Sequence, residues 1–456
     1  MKATVQISPT TVTSHEGATI KLLLDGNVLS DLYFDFSTIL RAVPHPSETA
    51  LDFLLVAATV YALDKLIPRT DSQDGWQRSF EVEVPVRNAT RWTANSAVAN
   101  KCLSFLSGDS WKLSFGERSH PIVRRKRRKR RSKTLVRPVS GSQVSLFSGG
   151  LDSLIGAIDT LELTNEEPLC LVGHHDPNIG GVQKDQEQIL EVLRRLYPNR
   201  CKPILVGVGH SGKSAEITMR SRSILFVALG IVVAAHLGDR TPLLIPENGT
   251  IALNVPLTPS RRGSCSTRTA HPHYLALLQN WLDGIGLVHP ILNPLIKKTK
   301  GEAASQCLNQ AALKETALLS SSCAKRGHTS SWVRRAAGSC GRCMPCIYRR
   351  AALHSIGMDS ETYGNDICSG EVDVCDPNTD AADDLRACLS FLRRNHSIAS
   401  IAKMLIANGA LLPMDAMQHA STVARAMDEI RLLLRDKGDA AVRNLVGNGK
   451  GVRGVN

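Results

Sequence analysis

The sequence predicts an α/β protein whose central part is a parallel sheet with helices on both faces. From residue 144 onward, short apolar segments alternate with helical patterns, as in βαβ units. The predicted strands are 144–147, 169–173, 203–208 and 242–245, and the predicted helices between them include 182–196 and 221–237. In such sheets ligands bind at the carboxyl ends of the strands.

The chain is long for a single hydrophobic core at 456 residues, so we expect several domains. Residues 1–120 mix β-like and helical segments and predict an N-terminal α+β domain. Residues 121–140 are expected to form a basic linker. Residues 141–360 contain the α/β pattern, and residues 361–456 are predicted to be an acidic loop followed by a helical extension.

Composition is that of a globular protein, with 43% hydrophobic and 21% charged residues. The sequence has no apolar run of about 18 residues and no N-terminal signal with a cleavage site, so we expect a cytoplasmic protein with no membrane segment. Twelve cysteines are too few for a disulfide scaffold of this length. Those in apolar surroundings, such as Cys102 and Cys170, are expected to be reduced buried thiols.

One basic tract accounts for most of the net charge of +13, because residues 124–133 (RRKRRKRRSK) contain nine positive charges and no negative ones. The rest of the chain has a net charge of only +4. A tract of this kind can bind nucleic acid through phosphate neutralisation, here between Arg124 and Arg131. The alternative is a self-repelling, solvated linker, which the absence of interleaved aromatic residues favours.

A glycine-rich turn follows the first predicted strand. Residues 148–153 read SGGLDS, and Leu151, Leu154, Ile155 and Ile158 then recur at helical spacing. The turn therefore joins a strand to a helix N-terminus, where main-chain N–H groups and the helix dipole favour an anion. A carboxylate beside phosphate is expected only where it binds a cation or caps the helix, so the position of Asp152 in this turn needs such an explanation. The sequence predicts a phosphate-binding turn.

Four cysteines predict a metal site. Cys340, Cys343 and Cys346 have C-x-x-C spacing on a turn, and Cys323 lies seventeen residues earlier. An all-sulfur set of this kind is typical of structural zinc, with an iron–sulfur cluster or free thiols as alternatives. Cys307 and Cys368 are rival candidates for the fourth ligand.

These motifs together resemble the QueC family, the 7-cyano-7-deazaguanine synthases. The motifs are, in order, 148–153 (SGGLDS), 294–296 (PLI), 298–302 (KTKGE), Cys323, 340–346 (CGRCMPC) and 349–351 (RRA). SGGLDS alone resembles the pyrophosphatase loop of PP-loop enzymes, which split ATP between the α and β phosphates. The resemblance covers about residues 144–357. It implies a HUP-type adenine nucleotide α-hydrolase fold, with ATP, Mg²⁺ and Zn²⁺ as cofactors.

The resemblance also implies roles for individual residues in adenylating a 7-deazaguanine carboxylate. The expected nucleotide-binding residues are Ser148, Gly149, Gly150, Leu151, Asp152, Ser153 and Asp176. The expected catalytic residues are Asp152, Lys300 and Arg222, and the expected substrate residues are Asn248, Arg268 and His271. The expected zinc ligands are Cys323, Cys340, Cys343 and Cys346.

Two departures from the compact synthase change the expected acceptor. The flanking regions before residue 141 and after residue 360 are additional, and residues 247–249, 254–257 and 266–272 differ from the synthase's substrate motif. These features resemble the QueC-like proteins of bacterial anti-phage systems, of the QatC type. That resemblance implies an amide formed on a protein amine, the acceptor being a partner encoded in the same defence operon. Alternative functions are the nitrile synthase that uses ammonia, a tRNA-modifying PP-loop enzyme and a non-catalytic nucleotide-binding scaffold.

A second glycine-rich segment competes with the first. Residues 207–214 (GVGHSGKS) fit the pattern of a Walker-type phosphate loop and follow a predicted strand. The strand expected to supply its acidic partner, near residues 243–247, fits poorly. We therefore expect nucleotide to bind at SGGLDS rather than at Lys213.

Overall fold

Eleven strands join into one continuous sheet in this computed structural model. It describes residues 1–11, 15–125, 138–164, 166–177, 179–217, 220–261, 268–326 and 328–446. The strands are β1 (Lys2–Thr11), β2 (His15–Leu24), β3 (Asn27–Phe34), β4 (Ser79–Val86), β5 (Ser110–Glu117), β6 (Val123–Arg125), β7 (Gln143–Leu146), β8 (Leu169–His175), β9 (Cys201–His210), β10 (Leu243–Leu244) and β11 (Ile291–Leu292). Their spatial order is β11-β10-β7-β8-β9-β3-β2-β1-β4-β5, and β6 pairs with β2 beside this path.

Sixteen α-helices accompany the sheet within the described ranges. They are α1 (Phe36–Ala42), α2 (Glu48–Leu66), α3 (Ala89–Ala94), α4 (Ser96–Ser107), α5 (Leu151–Leu163), α6 (Val182–Leu196), α7 (Arg222–Leu237), α8 (Gly249–Leu253), α9 (Pro272–Ile285), α10 (Lys300–Ser305), α11 (Gln310–Thr316), α12 (Met344–Ser355), α13 (Asp383–Arg394), α14 (Ile398–Asn408), α15 (Pro413–Lys437) and α16 (Ala440–Val446).

The five strands from β7 to β11 run parallel, which confirms the predicted α/β class. The chain proceeds from β7 outward through β8 and β9, and then crosses to the other side of β7 to form β10 and β11. Strand order therefore reverses between β7 and β10. In a doubly wound sheet this reversal leaves a crevice at the carboxyl ends of the two strands, where ligands bind.

The sheet continues across the predicted boundary between the N-terminal region and the α/β region. Strand β3 pairs antiparallel with β9, with Leu32 opposite His210 and Phe34 opposite Val208. The N-terminal region has the predicted mixture of strands and helices, and its long buried helix α2 packs against α7. One hydrophobic cluster includes residues of both regions, so they share a core.

The C-terminal region packs its helices α13 to α16 around a second hydrophobic cluster. These four helices form the helical extension that the sequence predicts. Helix α15 crosses α8, α10 and α12, and therefore reaches the α/β region close to the crevice. No single described helix has both the length and the apolar character needed to cross a membrane. Helices α14 and α15 meet that criterion only when they are taken together, and the chain bends by 114° between them.

The basic tract is only partly described. Residues Arg124 and Arg125 end β6, whose main chain pairs with β2. Residues 126–137 lie outside the described part of the chain, and so does most of the predicted nucleic-acid contact between Arg124 and Arg131.

The GVGHSGKS segment does not form a phosphate loop. Its first four residues belong to β9, and α7 begins only at Arg222. The N–H of Ser211 donates to the carbonyl oxygen of Asp31, and the N–H groups of Ala215 and Glu216 donate to that of Lys65. These three N–H groups are therefore hydrogen-bonded within the protein. Nearby, a Cβ at Gly209 would lie 2.9 Å from Oδ1 of Asp176, so this glycine serves close packing against the end of β8.

Candidate functional site

A cleft of about 280 Å³ opens at the carboxyl ends of β7 and β10, where the strand order reverses. Its lining includes the turn after β7, the turn after β10, the start of α10 and residues 321–326, together with residues of α6 and the first residue of α7. Ligand-binding crevices are expected at this position of a doubly wound sheet. The cleft is therefore the primary candidate site.

The SGGLDS turn has the strand-to-helix geometry that the sequence predicts. Gly149 has a φ of +81°, a left-handed conformation that favours glycine, and Gly150 is the N-cap of α5. The Ser148 hydroxyl lies 3.2 Å from that of Ser153, which donates to the carbonyl oxygen of Gly150. The first-turn N–H groups at Asp152 and Ser153 have no acceptor within the helix. All the predicted turn residues except Leu151, which is buried in the core, line the cleft.

A second segment, just before the cysteine cluster, supports the turn. The N–H of Ser321 donates to the carbonyl oxygen of Gly149 at 3.0 Å, and the N–H of Leu151 lies 3.4 Å from the hydroxyl of Ser322. Neither serine was predicted from the sequence. Their only sequence signal is their position next to Cys323, which also lines the cleft.

Asp152 lines the cleft and is held by two neighbouring side chains. Its Oδ2 accepts hydrogen bonds from Nζ of Lys300 at 2.6 Å and from the side-chain amide of Asn248 at 2.9 Å. Asp152 and Lys300 are almost fully buried. Asn248 is also buried and caps α8 through its side-chain oxygen, so the structure places it behind Asp152 rather than on the cleft wall.

Glu247 adds a second carboxyl group, which the sequence motifs do not predict. Burial and the neighbouring Asp152 raise the pKa of Glu247 well above its usual value. The pKa of Asp152 is lowered despite its burial, chiefly by the Lys300 ammonium. Oδ1 of Asp152 is buried and receives no hydrogen bond from an N–H or hydroxyl group. Two carboxyl groups at such close quarters require a proton or a cation between them.

Arg222 lines the cleft from the N-terminus of α7. Its guanidinium donates to the carbonyl oxygen of His174 at 3.0 Å and to Nδ1 of the same residue at 3.3 Å. Burial lowers the pKa of His174 to about 3, so the ring is neutral. Nε2 of His174 lies 2.8 Å from the carbonyl oxygen of Val208, which fixes the tautomer protonated at Nε2. His174 therefore orients Arg222 toward the cleft.

Asp176 lies just past β8 but does not line the cleft. It is buried, and its Oδ2 accepts a 2.7 Å hydrogen bond from the hydroxyl of Tyr61 on α2. This bond connects the N-terminal region to the carboxyl end of β8.

The structure does not bring Arg268 and His271 to the cleft wall, although Thr269 between them lines it. Arg268 stacks over the ring of Phe105, 4.5 Å from its centroid, and donates to that residue's carbonyl oxygen. His271 caps α9 by accepting the N–H of His273, and burial lowers its pKa to about 3. Both residues contact α4 of the N-terminal region rather than the SGGLDS turn.

The four cysteines converge as the sequence predicts. The Sγ atoms of Cys323, Cys340, Cys343 and Cys346 all lie within 4.8 Å of one another. Main-chain N–H groups of Cys340 and Lys325 donate to Sγ of Cys323, and the N–H of Cys343 donates to Sγ of Cys340, each at 3.3 Å. Contacts with the other thiols, first that of Cys323, lower the pKa of Cys340. This environment stabilises thiolate and suits a metal ion.

Cys323 is confirmed as the fourth member of this cluster. The rival Cys307 is buried beside Asn309, and Cys368 belongs to the C-terminal hydrophobic cluster. Gly341 makes the turn feasible: its φ is +77°, and a Cβ there would lie 2.2 Å from the carbonyl oxygen of Asn365.

Comparison of the chain with protein-family models, curated proteins and solved structures finds no match.

Proposed function

We propose that this protein cleaves ATP to AMP and pyrophosphate in order to activate a carboxylate, within a HUP-type fold. The observation that carries the proposal is the group formed by Asp152, Glu247 and Lys300 beside an SGGLDS turn, at the point where strand order reverses. The substrate carboxylate would attack the α-phosphorus, forming an acyl–adenylate as the bond to pyrophosphate breaks. An amine would then displace AMP.

The residues of the cleft suit a nucleotide and a divalent cation. Ser148, Ser153 and the unpaired N–H groups of the first turn of α5 would hold pyrophosphate oxygens. The unpaired Oδ1 of Asp152 and the carboxyl group of Glu247 offer the oxygen ligands that Mg²⁺ prefers. Bound Mg²⁺ would neutralise the charge that develops on the leaving pyrophosphate. Lys300 and Arg222 supply further positive charge at the cleft.

The cysteine cluster suits structural zinc. A tetrahedral Zn²⁺ with bonds of about 2.3 Å separates its sulfur ligands by about 3.8 Å, which four Sγ atoms within 4.8 Å of one another can meet. Cys323 directly follows Ser321 and Ser322, which support the SGGLDS turn. We propose that the metal fixes this segment and does not take part in the reaction.

The substrate and acceptor are proposed from the motif resemblance alone. They are a 7-deazaguanine carboxylate and a protein amine on a partner encoded in the same defence operon. In this proposal ammonia as acceptor would give an amide and release AMP, and a nitrile would form only if a second ATP-driven adenylation then removed the amide oxygen with AMP. With tRNA as acceptor, the basic tract would be involved.

The decisive experiment incubates the purified protein with ATP, Mg²⁺ and 7-carboxy-7-deazaguanine, and measures AMP and pyrophosphate. We expect Asp152→Asn to lower AMP formation at least about 100-fold, because it removes the carboxylate that is proposed to bind Mg²⁺ at the phosphate site. Lys213→Ala is the matched control, since this exposed lysine belongs to the other glycine-rich segment. Formation of ADP, or loss of activity only in Lys213→Ala, would contradict the proposal.

The same reaction identifies the acceptor when cell extract, ammonia or tRNA is added. Mass spectrometry that finds a protein heavier by one deazaguanine acyl group supports conjugation. Rapid nitrile formation with ammonia would instead assign the biosynthetic reaction, and AMP release that depends on tRNA would assign RNA modification.

A further inference from the structure

A third cation, Arg326, lines the cleft together with Lys300 and Arg222. It lies three residues after Cys323, at the end of the segment whose serines support the SGGLDS turn. Unlike Lys300, it belongs to none of the sequence motifs. The contacts of its side chain therefore have to indicate what it binds.

Asp185, in the first turn of α6, holds the guanidinium of Arg326 by two hydrogen bonds. Nε of Arg326 donates to Oδ2 of Asp185 at 2.9 Å, and Nη2 donates to Oδ1 at 2.7 Å. On its other side, Nη1 donates to the carbonyl oxygen of Gly338 at 2.6 Å. These three bonds fix both the position and the plane of the guanidinium.

The guanidinium of Arg326 retains N–H groups for a further acceptor. Arginine has five N–H donors, and contacts within the described residues engage three of them in Arg326. The other two are one N–H on Nη1 and one on Nη2. The side chain lines the cleft and is 24% exposed, so a ligand in the cleft can reach it.

Helix α6 brings this arginine close to the SGGLDS turn. The side-chain amide of Gln186, the residue after Asp185, donates to the carbonyl oxygen of Phe147 at 3.0 Å, directly before the turn. A Cβ at Gly149 would lie 3.1 Å from Cγ of Gln186, so the backbone of the turn packs against α6. Arg326 and the first turn of α5 therefore border the same cleft of about 280 Å³ from two different segments.

The donors of this part of the cleft favour phosphate as the acceptor. A fixed pair of guanidinium N–H groups matches two oxygens of a phosphate group. The hydroxyls of Ser148 and Ser153 and the first-turn N–H groups of α5 provide further donors to an anion that has several oxygens. Because Asp185 largely compensates the charge of Arg326, this arginine contributes directed hydrogen bonds more than excess positive charge.

We propose that Arg326 binds phosphate oxygens of the nucleotide and that Asp185 is its positioning residue. The inference rests on the proposed function, since it takes the cleft as the site of ATP. Arg326 adds a donor from the cysteine-bearing part of the chain to the donors of the SGGLDS turn. Its bond to Gly338, two residues before Cys340, ties the phosphate contact to both segments that carry the cysteines.

Calorimetric titration with pyrophosphate and with ATP, in Mg²⁺ and without a carboxylate substrate, measures this contact. We expect Arg326→Gln to weaken the binding of both ligands about tenfold or more, because charge-assisted hydrogen bonds are lost. Arg334→Gln is the matched control. Arg334 also donates to a carboxylate, that of Glu371, and to a main-chain carbonyl oxygen, that of Tyr363, but does not line the cleft. It should bind both ligands as the unmodified protein does.

Asp185→Asn separates phosphate binding from a purely structural role of the ion pair. Both Asp185→Asn and Arg326→Gln lose the ion pair, but Asp185→Asn keeps the guanidinium and an amide oxygen that accepts from it. We expect Asp185→Asn to bind pyrophosphate at least about fivefold more tightly than Arg326→Gln does. Urea unfolding verifies that each variant is folded. Equal losses of affinity in the two variants, or an unchanged affinity in Arg326→Gln, would overturn the proposal.

These outcomes are distinguishable from the outcome of the cleavage assay. Binding of ATP that depends on Arg326, without AMP formation, would contradict the proposed function and support the phosphate contact. AMP formation together with full pyrophosphate affinity in Arg326→Gln would support the proposed function and overturn the phosphate contact. An unmodified protein that binds neither ATP nor pyrophosphate would overturn both.

Discussion

The ammonium of Lys300 lies 2.6 Å from Oδ2 of Asp152, and both side chains are almost fully buried. The pair joins the first turn of α5 to the first residue of α10, across 148 positions of sequence. Glu247 lies beside this pair, and its pKa is raised. When Glu247 holds a proton, the net charge of Asp152, Glu247 and Lys300 is close to zero. Removing any one charge should therefore affect both stability and ligand binding.

Lys300→Met should destabilise the protein by about 3–5 kcal/mol, because it leaves the Asp152 carboxylate buried without its cation. Urea unfolding at pH 7 measures the change in the free energy of unfolding. Lys298→Met, two residues earlier on the same segment, is the control and should cost less than about 1 kcal/mol. A loss of the same size in both variants would show that the ion pair is not responsible.

Glu429 should make stability depend on pH near neutrality. It accepts hydrogen bonds from Thr299 and Gly301 at the start of α10, yet burial raises its pKa to about 7. Because its pKa is lower in the unfolded chain, the protonated form favours folding, and this contribution is lost as pH rises through about 7. Relative to Glu429→Gln, the protein should gain up to about 3 kcal/mol between pH 8 and pH 5.

The matched control for Glu429 is Asp415→Asn, which removes an exposed carboxylate from the same helix. Denaturant unfolding at several pH values measures both variants. Equal pH profiles for the unmodified protein and Glu429→Gln would contradict the raised pKa.

Tyr61→Phe should destabilise the protein by about 1–3 kcal/mol, since the buried carboxylate of Asp176 loses the hydroxyl that donates to Oδ2. The ring itself is retained, so packing against His174 is preserved. Tyr33→Phe, at a tyrosine that is 51% exposed, should change the midpoint of urea unfolding little. A similar small change in Tyr61→Phe would indicate that Asp176 finds another donor.

Cys346→Ser should remove bound zinc and lower the melting temperature. Elemental analysis of the purified protein is expected to find one zinc per chain, and Cys375→Ser, at an exposed free cysteine, should retain it. Because Cys323 adjoins the serines that support Gly149 and Leu151, metal loss should also weaken ATP binding. Zinc content unchanged by Cys346→Ser would contradict the four-cysteine site.

Local sequence patterns predicted the elements that depend on local physics. The helical spacing after Gly150 located α5, and C-x-x-C spacing together with Cys323 located the four-cysteine cluster. The GVGHSGKS segment shows the limit of such patterns. Its Gly209 permits close packing against Asp176. The local sequence alone does not distinguish a glycine needed for packing from one needed for phosphate binding.

Long-range contacts could not be predicted in the same way. Ser321 and Glu247 reach the site only because distant segments fold together, 172 and 95 positions from Gly149 and Asp152 respectively. Arg268 and His271 were expected at the substrate, but Arg268 stacks on the ring of Phe105 and His271 makes an edge contact with it, so both lie against the N-terminal region. Single-sequence patterns contain no signal for such partners.

The pairing of β3 with β9 has a consequence for any attempt to isolate the α/β region of the chain. A fragment beginning at residue 141 would expose the edge of β9 at residues 208–210, because the main-chain groups of Val208 and His210 would lose their pairing with β3. An unpaired strand edge of this kind can pair with a strand of another chain. Such a fragment should precipitate or self-associate on expression, and co-producing residues 1–125 as a separate polypeptide should restore a soluble complex.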